Sequence, residues 1–159
     1  MVPTIHHAPL DRTDPVTLYR IMMLRTAVFV HEQGVVSEPE LDGRDLEPTT
    51  TLFWAEQGGE VVATLRVLAD GDDGTVHIGR VATAARARGH GVAGALLGAA
   101  LATCPGDVAI SAQAYLESWY GRFGFLRTGP NFLEAGIDHV PMLRVGTASP
   151  RESSDRTVS

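Results

Sequence analysis

The sequence contains no lysine; all thirteen of its basic residues are arginine, set against nineteen acidic ones for a net charge of -6. That balance, with a pI near 5.4, excludes the broad basic patch by which nucleic-acid binders neutralise phosphates. Arginine is also the side chain best suited to bidentate contact with a phosphate, should the chain need one locally. Cysteine is nearly absent: Cys104 stands alone, so no intramolecular disulfide and no thiolate metal cluster can form, and a reducing compartment fits best. No apolar run approaches the roughly 18 residues that cross a membrane, and residues 1–10 lack a basic segment followed by an apolar one. A cytoplasmic protein with no membrane partner, no nucleic-acid partner and no metal is therefore expected. No repeat is visible at periods of about 20 to 50 residues. With 159 residues, 44% of them hydrophobic, the chain can bury one sizeable core. One domain over residues 1–145 is expected, followed by a disordered tail over 146–159 rich in Ser, Thr, Arg and Gly.

What is present is a mixture of both secondary-structure periods. Asp14-Pro15 reads as an N-cap followed by proline at the first helical position, and Leu18, Ile21, Met22, Val28 and Phe29 continue at helical spacing, predicting a helix over 15–31. Residues 34–50 carry Glu38, Glu40, Asp42, Asp45 and Glu47 without periodicity and read as an acidic loop. Strand-like runs follow at 51–56 and 61–68, with turn chemistry at 57–60 between them, then a turn at 70–74 and a third run at 75–83. Val92, Leu96, Leu97, Ala100 and Leu101 form a second helical stripe that stops at Pro105-Gly106. A short strand at 108–112, a helix at 115–122, an extended piece at 125–128 and a last strand at 137–145 complete the reading. Strands first and strand-helix alternation afterwards imply an α+β fold, a mixed sheet with helices on both faces.

Residues 89–94, Gly-His-Gly-Val-Ala-Gly, satisfy the dinucleotide-binding spacing G-x-G-x-x-G. Their context opposes it. In a dinucleotide fold the glycines follow the first strand directly and an acidic residue ends the second; here 84–88 intervene and Asp107 opens the next strand. The same stretch also reads Arg88-x-x-Gly91-x-Ala93 at the start of a helix. Glycine admits close backbone approach, and the free N–H groups of the first turn, Val92 to Ala95, suit a diphosphate. Arg86 and Arg88 beside the glycines favour an anion over a merely tight turn.

These residues resemble the GNAT superfamily, in which R/Q-x-x-G-x-G/A at a strand-to-helix junction holds the diphosphate of acetyl-CoA. A second motif supports the resemblance: residues 113–125 look like the family's N-x-x-A-x-x-x-Y-x-x-x-G-F, with Gln113 where Asn is commoner and with Tyr120, Gly124 and Phe125 in register. The chain is closer still to the ElaA-like branch, through 24–33 (Leu-Arg-Thr-Ala-Val-Phe-Val-His-Glu-Gln), Asp42-Gly43-x-Asp45 and 136–142. The likeness covers about residues 15–145. Arg25 and Phe29 with acidic residues downstream also resemble acyl-homoserine-lactone synthases, which share the general fold.

The resemblance implies a mostly antiparallel sheet that splays between its fourth and fifth strands, 75–83 and 108–112, to admit acetyl-CoA. Backbone groups of Val81, Ala82 and Thr83 would face the acetyl and pantetheine parts, with Val81 N–H the oxyanion donor. Arg88, Gly89, His90, Gly91, Val92, Ala93 and Gly94 would hold the diphosphate, with Gln113 and Tyr120 also on the cofactor. The implied reaction moves an acetyl group directly, in a ternary complex, to a primary amine of a small molecule or peptide. It needs a neutral amine, a stabilised oxyanion and a proton for the thiolate. Tyr120 matches the family's acid; a tyrosine buried for packing is the plain alternative. For the base Glu32, His77 and His139 stand open, each equally readable as ordinary surface or core. Arg25, Phe29, Glu32 and His139 are the expected acceptor contacts, and the acidic loop either attracts the amine or is simply solvated. His6-His7 is too isolated for a metal site. A non-catalytic acyl-CoA-binding module and a homoserine-lactone synthase are the alternatives. A homodimer stays open, since Trp54 and Trp119 suit an interface as readily as a core.

Overall fold

The computed structural model describes residues 2–69 and 71–147, so the predicted tail lies, from residue 148 on, outside the described residues. The described chain opens with a strand that its pattern did not announce, β1 (Thr4–Ala8), paired antiparallel with residues 52–56 of the next strand. Polar Thr4, His6 and His7 conceal it, but His6 stacks on Trp54 and His7 on Phe53, cross-strand ring pairs that hold an edge strand in place. Helix α1 (Pro15–Arg25) begins as expected: Asp14 accepts hydrogen bonds from the N–H groups of Val16 and Thr17 at 3.1 Å. It does not continue as one regular helix to 31. From Thr26 to Glu32 the turns widen to a π-helix, with Gln33 N–H reaching back five residues to Val28 O at 3.0 Å. Such widening reorients the residues that follow and is common at functional sites.

β2 (Thr51–Gln57) and β3 (Glu60–Leu68) form the expected hairpin, closed by Gly58 and Gly59, whose φ angles of +58° and +77° suit a two-residue turn. β4 (Val76–Thr83) pairs antiparallel with β3. Between the pairs Arg66–Gly79 and Thr64–Ala82, β3 spends one residue and β4 two, a bulge at Arg80 and Val81 with Arg80 at φ +51°. α2 (Val92–Ala102), β5 (Val108–Gln113) and the short α3 (Glu117–Gly121) follow. β6 (Leu126–Arg127), β7 (Phe132–Glu134) and β8 (Ile137–Arg144) end the described fold. β7 escaped the sequence reading because it is three residues long, held by a two-residue turn of Ala135 and Gly136, both at positive φ.

The eight strands run β1-β2-β3-β4-β5-β8-β6, with β7 also on β8. Every pairing is antiparallel except β4–β5, which is parallel and holds over only two pairs, Val76–Val108 and His77–Ala109. Beyond His77 the two strands diverge, giving the splay expected of a GNAT fold. Helices cover both faces. On one side Arg66 donates to Asp45, which also accepts from Arg25 of α1, while the next residue, Val67, lines a pocket with Thr103 and Cys104 at the end of α2. Leu96, Leu97 and Ala100 of α2, Ile21 and Leu24 of α1, and Phe53, Leu65, Val108 and Phe125 belong to one buried cluster. At roughly 1.5–3 kcal/mol per buried large side chain, this packing fixes the helices and thereby the mouth of the splay.

Candidate active site

A cavity of about 690 Å³ fills the splay. Its walls are β4 from His77 to Thr83, the π-helical segment through Phe29, Glu32 and Gln33, Ile110 and Gln113 of β5, Tyr120 of α3, and Ile137 and His139 of β8. One end is the glycine loop. Gly89 and Gly91 sit at φ +78° and +76°, a conformation that disfavours L side chains, and Gly91 caps α2 without offering a side-chain acceptor. The N–H groups opening α2 are thus left for a ligand, with the positive end of an eleven-residue helix behind them. Arg88, Gly89, Gly91, Val92, Ala93 and Gly94 all line the cavity, as do Val81, Ala82, Thr83, Gln113 and Tyr120. His90 does not; its exposed side chain is off the lining. Small residues and left-handed glycines at a helix start are the donor set a diphosphate requires, so the chain's own residues fit an acyl-CoA.

Arg88 donates from Nε to Thr83 O at 3.1 Å and from Nη2 to Glu32 at 2.7 Å, tying the end of β4 to the end of the π-helical segment. Arg86, whose place beside the glycines favours an anion in the sequence, turns to an exposed pair with Glu60, off the cavity. Gln33 and Gln113 exchange amide hydrogen bonds of 3.0 and 3.4 Å across the splay.

Tyr120 is 5% exposed, and burial, reinforced by nearby Tyr115, pushes its hydroxyl up to about 12. It packs edge-on against Trp119 and Phe125. His139, 8% exposed, has Nδ1 at 2.7 Å from Ile137 O. A carbonyl can only accept, so the neutral ring carries its proton on Nδ1 and presents the lone pair of Nε2. Glu134 lies 3.7 Å from that nitrogen. His77 is exposed at the paired end of β4 and also borders the cavity.

Arg25 departs from its expected place among the acceptor contacts. It is 1% exposed and absent from the cavity wall. Its guanidinium is consumed by Asp45 at 2.7 and 3.2 Å and by Glu40 at 2.7 Å. Nor is the acidic loop simply solvated. Glu40, Asp42 and Asp45 alternate with three arginines in a closed ring: Arg25 pairs with Glu40 and Asp45, Arg66 with Asp42 and Asp45, and Arg80 with Glu40 and Asp42. Every member has two partners of opposite sign, which is what buried charge demands. The hydrogen bond from Arg66, with help from Arg44 and Arg80, holds the Asp42 carboxyl well below the usual range even though burial opposes it. Burial alone would lower the Arg66 pKa, but Asp42 and Asp45 outweigh it and raise it. The ring joins α1, the loop, β3 and the β4 bulge, and through Glu40, Arg66 and Arg80 it forms part of the cavity wall. Gln33, Arg66 and Arg80 were not singled out from the sequence. A lone arginine inside the apolar run of β3 was the available signal for a buried ion pair; the bulge at Arg80 had none.

Among known proteins, residues 25–145 match the profile of the acetyltransferase (GNAT) domain. The chain is 48% identical over 139 residues to the UPF0039 protein Rv2851c of Mycobacterium tuberculosis, covering 84% of this chain and 88% of that one. It is 35% identical over 146 residues to ElaA of Escherichia coli, covering 88% and 93%. The crystal structure of an acyl-CoA N-acyltransferase from Pseudomonas aeruginosa superposes with a TM-score of 0.83 at 35% identity, over 91% of this chain and 100% of that one.

Proposed function

The chain belongs to the GNAT acetyltransferase family, in its ElaA-like branch, and from that premise we propose that it moves an acetyl group from acetyl-CoA directly to a primary amine of a small molecule or peptide. The observation that carries this reading is a continuous cavity that runs from the glycine loop, past the β4 bulge and Tyr120, to His139 on β8.

Acetyl-CoA supplies a thioester whose carbonyl accepts the amine and whose thiolate departs. The N–H groups from Gly89 to Gly94 hold its diphosphate, and Gln113 borders the arm that leads inward. At the bulge, one β4 residue falls out of ladder pairing, and the N–H of Val81 serves the developing oxyanion. Tyr120 keeps its proton throughout the physiological range and delivers it to the departing sulfur. Of the candidates for the base, His139 is best prepared: Ile137 fixes its tautomer, so that the lone pair of Nε2, with the Glu134 carboxylate 3.7 Å away to stabilise the imidazolium, takes a proton from the incoming ammonium. Phe29 and Ile137 supply apolar walls for the acceptor's carbon skeleton.

The test is thiol release from acetyl-CoA in the presence of a panel of amines, peptides and polyamines. Turnover with at least one acceptor, and its loss in Tyr120→Phe, is expected. Tight CoA binding without turnover across the panel would favour a binding module over an enzyme.

A further inference from the structure

Two ion pairs flank the glycine loop, and only one of them faces the cavity. Arg86–Glu60 points away. Arg88–Glu32 stands on the cavity wall beside the glycines, at 2.7 Å. Both of its side chains are more than 40% exposed, so the bond is weak in water and readily exchanged. Meanwhile Arg88 is already aimed, because its Nε is anchored on Thr83 O. A diphosphate placed on the loop offers this guanidinium a partner of higher charge with several acceptor oxygens. The same diphosphate repels a carboxylate held beside it.

We propose that Glu32 is an internal counterion of Arg88 that the diphosphate of acyl-CoA displaces. The carboxylate occupies the guanidinium face that the cofactor takes over, so each binding event breaks one ion pair to make another. Glu32 is then neither a cofactor ligand nor the base; it weakens cofactor binding and does so only through Arg88. The inference rests on the functional reading above, since it requires a diphosphate on the glycine loop.

The experiment measures CoA affinity by calorimetry at low salt for the wild type, Glu32→Gln, Arg88→Gln and the double variant, with pantetheine as a ligand lacking the diphosphate. Glu60→Gln controls for the loss of one negative charge elsewhere. Glu32→Gln should tighten CoA binding by about 1.4- to 5-fold, the range that exposed ion pairs span. The gain should vanish in the Arg88→Gln background, be absent with pantetheine, and not be reproduced by Glu60→Gln. Unchanged or weaker CoA binding by Glu32→Gln, or a gain that survives loss of Arg88, would overturn the exchange while leaving the functional reading intact. Failure of all variants, the wild type included, to bind CoA would overturn the functional reading itself.

Discussion

At the scale of single residues, the two groups proposed to handle protons sit in different environments. Tyr120 is surrounded by Trp119 and Phe125, and its hydroxyl, raised to about 12, stays protonated far above neutral pH. Tyr120→Phe should lower kcat by roughly 10²- to 10⁴-fold, the usual worth of a positioned acid, while CoA affinity changes little. Because the folded pKa is raised, the proton is kept until the pH nears 12, so kcat should show no alkaline fall from this group in an ordinary assay range. Steady-state kinetics from pH 6 to about 10 would show it, and a decline that disappears in the Phe variant would place the titration of Tyr120 inside that range and contradict the upward shift. His139→Gln tests the other half of the chemistry. A base is needed only while the amine is protonated, so the variant should lose activity with alkylamines of pKa about 10 and regain much of it with amines already neutral at pH 7. An equal loss with both classes would make His139 a structural residue. Tyr120 was legible in the sequence because its motif fixes its position; the preparation of His139 was not, because it depends on the carbonyl of Ile137 meeting Nδ1 in three dimensions.

At the scale of elements, the ion ring ties the end of α1 to a loop rich in carboxylates. Arg25 is the last residue of α1, and its charge can be buried only if Glu40 and Asp45 come to it, which draws the loop across β3 and onto the β4 bulge. Asp45→Asn would leave Arg25 and Arg66 each short of a buried anion, and it should cost about 3–5 kcal/mol, read as a lower urea midpoint. A loss below about 1 kcal/mol would show that water reaches the ring and screens it. The pH dependence has a definite sign. Asp42 is depressed in the folded state, so its stabilisation is complete above the ordinary aspartate value near 3.9 and is lost as the pH falls below it. Local pattern announced α1, α2, the β2–β3 hairpin and β5, whose stripes and turn glycines are sequential. β1 and β7 hold by ring stacking and by a tight turn rather than by apolar alternation, so pattern missed them. The ring was missed for the same kind of reason: its six members lie as far apart as Arg25 and Arg80, and charge spacing along a chain does not say which carboxylate meets which arginine.

At the scale of the whole molecule, the sheet is two halves in weak register. β1 to β4 form one and β5 to β8 the other, joined along β4–β5 by two residue pairs and, on the cavity side, by the Gln33–Gln113 amides. A ligand seated in the splay touches both halves and has no equivalent site in the unfolded chain, so its binding free energy adds to folding stability by mass action, about 2.7 kcal/mol at 100 times Kd. The melting temperature should therefore climb with the logarithm of CoA or acetyl-CoA concentration and ignore NADH, which needs the strand-glycine-acid geometry that this chain lacks. Amide exchange should slow in both β4 and β5, because opening the splay becomes coupled to losing the ligand. Gly91→Val separates the site from the fold: Gly91 sits at φ +76° with open space around it, so the branched residue strains the loop and removes the close approach without disturbing the core. That variant should fold, with a somewhat lower melting temperature, and show no CoA shift. Were it to keep the full shift, the diphosphate would lie elsewhere than on the glycine loop.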